Sequence, residues 1–276
     1  MKIFKPIFFL FLACTFLFFG CDKNPLTKKS TLAFIDNSHL FPSSFRLYEE
    51  FLSENTVLHG TPEADMVERV GNNIKAAAEK WLGAEGYSDY LKDYQWEFCL
   101  IESDEINAWV LPGGKIAVYT GILPVTQTEA GLAVVIGHEI AHALLNHSQQ
   151  QQSAGILQLL GAIALGIFLS DESPVNQEIA MLAYNLGTQI LGTLPFSRKH
   201  EEEADHYGLI LMAIAGYNPE EAAPFWDRMT ETSSNKIPVF LSTHPVSEER
   251  ARNLEKLVPE ALSKAQEFGV TINRLQ

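Results

Sequence analysis

Leu132-Ala133-Val134-Val135-Ile136-Gly137-His138-Glu139-Ile140-Ala141-His142-Ala143-Leu144-Leu145 is apolar except at His138, Glu139 and His142. A run this apolar predicts a buried helix, from Thr126 to about Asn146. Two imidazoles and a carboxylate buried together are costly unless a metal or polar partners satisfy them. Positions i and i+4 lie on one helix face, so His138 and His142 can reach a single zinc ion. Glu139 sits about 100° around the axis from His138. It can therefore face the open coordination position without ligating. There it takes a proton from the attacking water and passes it to the leaving amine of a peptide.

A catalytic zinc needs a third protein ligand. One route is a histidine six residues after His142 with a glycine three residues after it, but those places hold Ser148 and Leu145. His147 is nine residues from His138, about 180° around the helix, and reads as a basic residue near a helix C-terminus. The other route is a carboxylate from a later helix. In Glu201-Glu202-Glu203-Ala204-Asp205 the first and last residues share a face. One can ligate the metal while the other orients a histidine. On spacing alone the same residues also read as an acidic first turn favoured by the helix dipole, with Ser197 as N-cap.

Outward from the motif the chain reads as mainly α (α+β), with one small antiparallel sheet. Glu63 to Leu82 has helical spacing behind Pro62. Trp96 to Ile101, Ile106 to Leu111 and Ile116 to Tyr119 read as strands, the last two joined as a hairpin through Pro112-Gly113-Gly114. Ala154 to Leu169 is apolar except for Gln158. At about sixteen residues it falls short of the roughly 20 of a membrane-spanning helix. It reads as a buried core helix in preference to a hydrophobic flap or membrane-dipping segment. Glu178 to Leu191, Ser197 to about Ala215, Glu220 to Met229 and Val246 to Glu267 complete the helices, the last interrupted near Pro259.

The chain has 276 residues, 46 % of them hydrophobic, and a formal net charge of -14. That acidity excludes a nucleic-acid partner, which needs a basic face. Lys2 and Lys5 precede an apolar run from Ile7 to Phe19 and then Gly20-Cys21. This is the layout of a secretory signal. The small residue before Cys21 suggests a bacterial lipoprotein, with residues 1–20 as signal, lipid on Cys21, 21–41 as a tether and 42–276 as one domain. An uncleaved anchor helix is the alternative. Either form places the protein at a bacterial envelope membrane, facing the periplasm. Of the three cysteines only Cys99 remains for the domain, so no disulfide framework is expected.

Several separated motifs then occur in order. Arg69-Val70-Gly71, Asn107-Ala108-Trp109-Val110-Leu111-Pro112-Gly113-Gly114, Gly137-His138-Glu139-Ile140-Ala141-His142, Ser197-Arg198-Lys199-His200-Glu201-Glu202-Glu203-Ala204-Asp205 and Thr243-His244-Pro245 with Arg250 are all present. Together they resemble the HtpX/CAAX-prenyl-protease family of zinc metallopeptidases, in its soluble exported branch. The resemblance implies a zincin-like domain holding one zinc ion, with Glu201 as third ligand and Asp205 behind the ligands. It also implies that His244 lies near the metal, as a transition-state donor or as a gate, and that Arg250 arranges that loop or the substrate. The strand Asn107, Ala108, Trp109, Val110, Leu111 would be the edge that pairs with an extended peptide. The expected substrates are unfolded, misfolded or mislocalised envelope proteins. A non-proteolytic envelope chaperone using the same cleft is the rival reading.

Overall fold

The structure, a computed structural model, describes residues 21–232, 237–245 and 248–272. The signal expected at residues 1–20 lies outside them. In chain order the elements are β1 (Cys21–Lys23), β2 (Ser30–Leu32), α1 (Asn37–Glu54), β3 (Val57–Leu58), α2 (Pro62–Ala84), β4 (Glu97–Ile101), β5 (Ala108–Leu111) and β6 (Lys115–Tyr119). Then follow α3 (Leu123–Thr126), α4 (Glu129–Leu144), α5 (His147–Phe168), α6 (Pro174–Thr188), α7 (Leu194–Ile214), α8 (Ala222–Thr232), α9 (Val239–Thr243) and α10 (Glu248–Glu267).

Local chemistry accounts for the helices that frame the core. The Thr61 hydroxyl accepts the Ala64 N–H at 3.1 Å, and Pro62 opens α2, where its missing donor costs nothing. Val67, Val70, Ile74, Ala78 and Leu82 then bury one face of α2 against α4 and β4. The Thr128 hydroxyl caps α4 by accepting the Gly131 N–H at 3.0 Å. Every α4 residue from Gly131 to Leu144 is buried, as its apolar run requires. Mainly α architecture with a small sheet is what the composition of the segments predicts.

The sheet departs from expectation in one pairing. Its order is β3-β4-β6-β5, with β3–β4 and β5–β6 antiparallel but β4–β6 parallel. The hairpin between β5 and β6 turns through Gly113 and Gly114, at φ +89° and +91°, values that suit glycine. β5 is left as an edge strand.

Four other expectations change. The segment 21–41, read as a tether, is packed onto the domain: the Asn24 amide donates to Leu144 O at 2.8 Å, Leu26 joins the core, and α1 already begins at Asn37. The Ala154–Leu169 segment is not a core helix. Past Ser153 no described residue of α5 or α6 is buried, and the two form an exposed antiparallel hairpin. Ser197 is not an N-cap, because a π-helical turn, Gln189–Thr193, carries the chain from α6 straight into α7. Pro259 sits inside α10 without ending it.

Candidate metal centre

α4 and α7 cross at two glycines. A Cβ on Gly208 would lie 2.9 Å from backbone atoms of Gly137 and from the His138 nitrogen, and one on Gly137 would lie 2.9 Å from the Gly208 carbonyl oxygen. Only this bare crossing lets Glu201 and Asp205 of α7 reach the histidines of α4. His138, His142, Glu201 and His244 are all buried, and their ligand atoms lie within 4.8 Å of one another. The Nε2 atoms of His138 and His142 are 3.0 Å apart. Glu201 brings Oε2 to 3.3 Å from His138 Nε2 and Oε1 to 3.4 Å from His142 Nε2.

The donor set fits a cation. His138 donates through Nδ1 to Asp205 Oδ1 at 3.0 Å, so its Nε2 lone pair faces the Glu201 carboxylate. Two electron-rich groups in that geometry need a positive charge between them. Without an ion a proton takes that place: burial would hold His138 low, yet its hydrogen bonds to Asp205 and Glu201 raise it to about 9. Burial would raise Glu201, but the three histidines hold it far below the carboxylate range. Imidazole nitrogens and one carboxylate in a buried pocket are the donors zinc prefers, and three such ligands leave a position open.

Glu139 projects from the same helix into this pocket and is 2 % exposed. Its Oε1 makes no hydrogen bond and lies 3.4 Å from His244 Nε2. Burial is the main cause that raises its pKa, opposed by the nearby histidines. A carboxylate in that state is a better proton acceptor than one in water.

Behind the ligands stand two sets of partners. Arg250 grips Asp205 with Nε on Oδ2 at 2.6 Å and Nη2 on Oδ1 at 2.8 Å, and donates to the Pro245 carbonyl at 2.8 Å. Its guanidinium lies 4.7 Å over the Trp226 ring. Burial of an unpaired Asp205 would push its pKa up; the Arg250 charge keeps it down instead. The other set was not anticipated. α4 stops at Leu144, Asn146 takes a left-handed conformation (φ 57°), and His147 opens α5. This brings His147 Nδ1 to 2.8 Å from His142 Nδ1. With His142 Nε2 turned to the metal position, His142 Nδ1–H donates and His147 accepts. The His147 proton is then on Nε2, directed at Glu203 Oε2 3.6 Å away. His200 stacks on His147 at 4.0 Å between ring centroids.

His244 follows α9. Its Nδ1 is 3.0 Å and 3.2 Å from the two Glu201 oxygens and 3.1 Å from His138 Nε2. The Phe240 N–H donates to Ile106 O at 3.1 Å, tying α9 to the chain two residues before the edge strand. On β5, Trp109 packs at right angles to Tyr48 and Phe51, away from the metal. Val110 lines a small crevice with His142. Asn107 and Ala108 are buried, and Asn107 accepts the Tyr119 N–H at 3.1 Å.

A buried helix bearing His-Glu-x-x-His, faced by a glutamate from a second helix, has the donor set of a zinc metallopeptidase. The chain belongs to peptidase family M48, whose model matches residues 72–258. It is 39 % identical over 177 residues to the mitochondrial metalloendopeptidase OMA1 of Schizosaccharomyces pombe, covering 63 % of this chain and 50 % of that protein. It is 31 % identical over 258 residues to the OMA1 metalloendopeptidase of Bos taurus, covering 90 % of this chain and 48 % of that one. The beta-barrel assembly-enhancing protease of Escherichia coli is 30 % identical over 181 residues, 62 % of this chain and 37 % of the relative. The chain thus spans about half the length of these relatives or less.

Proposed function

We propose that this chain is a membrane-held zinc metalloendopeptidase that cleaves misfolded or mislocalised proteins of a bacterial envelope. The observation that carries the reading is the convergence of His138, His142, Glu201 and His244 within 4.8 Å, with the unbonded Glu139 carboxylate beside them. His138, His142 and Glu201 hold the ion, one per chain. Zinc bound there supplies a Lewis acid for the scissile carbonyl and makes water a nucleophile near neutral pH. Glu139 takes the proton of the attacking water and delivers it to the leaving amine. Asp205, fixed by Arg250, holds His138 in the tautomer whose Nε2 lone pair faces the metal. His147 does the same for His142.

The free edge of β5 offers backbone groups to an extended peptide, with Val110 on the side of the metal and Trp109 anchoring the strand from behind. Backbone pairing reads little sequence, which suits unfolded clients. His244 fills the space beside Glu139 and Glu201, which lowers the resting activity until α9 moves. Lipid on Cys21 holds the domain at the membrane, on the periplasmic side. The Gly20-Cys21 signal layout supports this. The test of the envelope role is client capture. Photo-cross-linking from the Glu139→Gln variant in bacterial cells is expected to trap misfolded envelope proteins that the parent degrades. Equal yields from both, or cytoplasmic clients only, would overturn it.

A further inference from the structure

The α5–α6 hairpin exposes large apolar side chains along its whole length. Leu159 (61 %), Ile163 and Phe168 (83 %) on α5, Ile179 and Leu182 on α6, and Ile190 in the π-helical turn after it, all face outward. Where the two helices meet, the Gln158 amide donates to Thr188 Oγ1 at 2.9 Å, and the Tyr184 hydroxyl donates to Gln158 O at 2.9 Å. Exposed apolar surface of this extent marks an interaction site.

We propose that this hairpin is seated in lipid, lying within one leaflet of a membrane. Four observations select that occupant and that pose. First, Leu159, Leu160, Ile163 and Phe168 span about 180° of the α5 circumference at 100° per residue. A second helix would cover one ridge of that arc, whereas acyl chains cover all of it. Second, no Lys or Arg occurs between Lys115 and Arg198, so the surface carries no basic face for an acidic partner. Third, the apolar part of α5 from Ala154 to Phe168 is about 22 Å long, short of the ~30 Å hydrocarbon core. The turn carries Asp171 and Glu172, and α6 carries Glu178 and Asn185 beside its apolar stripe. Those groups suit a headgroup layer and an in-plane pose. Fourth, the N-terminal segment is docked at the hairpin base. Phe34 N–H donates to Ser153 Oγ at 3.0 Å, Gln149 donates to Ile35 O at 2.7 Å, and Leu32 shares a cleft with Leu157 and Tyr184. This ties the chain just after Cys21, the expected lipid site, to the base of the hairpin.

The consequence concerns the metal centre. The hairpin begins at His147, which touches His142, and returns into α7, which carries Glu201. A leaflet that holds the hairpin therefore fixes the height of the site above the bilayer and directs it to chains at the membrane surface. The inference stands independently of proteolysis.

The test uses the full chain in phosphatidylcholine vesicles containing a photoactivated carbene reagent dissolved in the acyl chains, with adducts mapped by mass spectrometry. Adducts are expected on residues 156–168 and 175–190, with none on Leu47, an exposed side chain of α1. Labelling is expected to be unchanged by anionic lipid or by high salt. Adducts confined to residues 1–20 would overturn the proposal, as would hairpin labelling that needs anionic lipid. Cross-links between copies through Ile163 together with loss of hairpin labelling would assign the surface to a second chain instead. Modification of Asp171 and Glu172 only by a carbodiimide trapped inside the vesicles would replace the in-plane pose with a spanning one.

Discussion

Gly208→Ala tests the crossing on which the metal centre depends. The added Cβ would stand 2.9 Å from backbone atoms of Gly137 and His138, where ordinary contact begins at 3.4 Å. Backbone cannot rotate aside, so α4 and α7 must separate by about half an ångström. Metal–ligand distances tolerate only about 0.2 Å. Glu201 would be drawn from His138 and His142, and zinc affinity should fall. Overpacking of this kind costs about 1–3 kcal/mol. For a domain of this size that lowers Tm by about 2–12 °C. The assays are thermal unfolding with and without chelator and zinc competition against a chromophoric chelator. Gly155→Ala is the control: a Cβ there meets nothing within 4 Å, and the helix should gain roughly 0.5–1 kcal/mol. A Gly208→Ala protein with parental Tm and zinc affinity would refute the reasoning.

Glu201→Gln is expected to lose zinc, read as metal content after gel filtration; unchanged content would remove Glu201 from the site. Arg250→Ala leaves the Asp205 carboxylate buried with only His138 beside it and should cost about 3–5 kcal/mol in urea unfolding. Arg250→Lys should restore little, since a single ammonium cannot reproduce the two-pronged contact. His244→Ala is expected to raise peptide cleavage, as befits a gate; a large fall instead would make His244 a transition-state donor. Burial pushes the Cys99 thiol up to about 11 from its ordinary value near 9. A raised folded pKa stabilises below the unfolded value and is lost as pH rises. Urea midpoints should therefore fall between about pH 9 and 11, less steeply in Cys99→Ala, and equal slopes would count against the burial of that thiol.

The motif on α4 was legible because its chemistry is rigid: spacing alone puts His138 and His142 on one face. The strands and their Gly113-Gly114 turn were legible for a similar local reason. What escaped was non-local. The parallel pairing of β4 with β6 depends on tertiary packing. His147 was misplaced because the face arithmetic assumed one continuous helix, whereas Asn146 breaks it and lets a new helix aim His147 back at His142. Asn after an apolar run, followed by His and a polar stretch, was the available signal. Ala154 to Leu169 was read as core because an apolar run alone cannot tell a helix packed in the core from one left exposed. The acidic cluster at Glu201 looked like a first turn because the π-helical turn before α7 leaves no punctuation beyond Pro195.

The most direct test of the account is casein cleavage by the full chain in detergent, with Glu139→Gln alongside and zinc content determined for both. The account predicts zinc in both proteins and cleavage by the parent alone, or by the parent once His244 is replaced by Ala. Cleavage by Glu139→Gln at the parental rate, or no zinc in either protein, would contradict it.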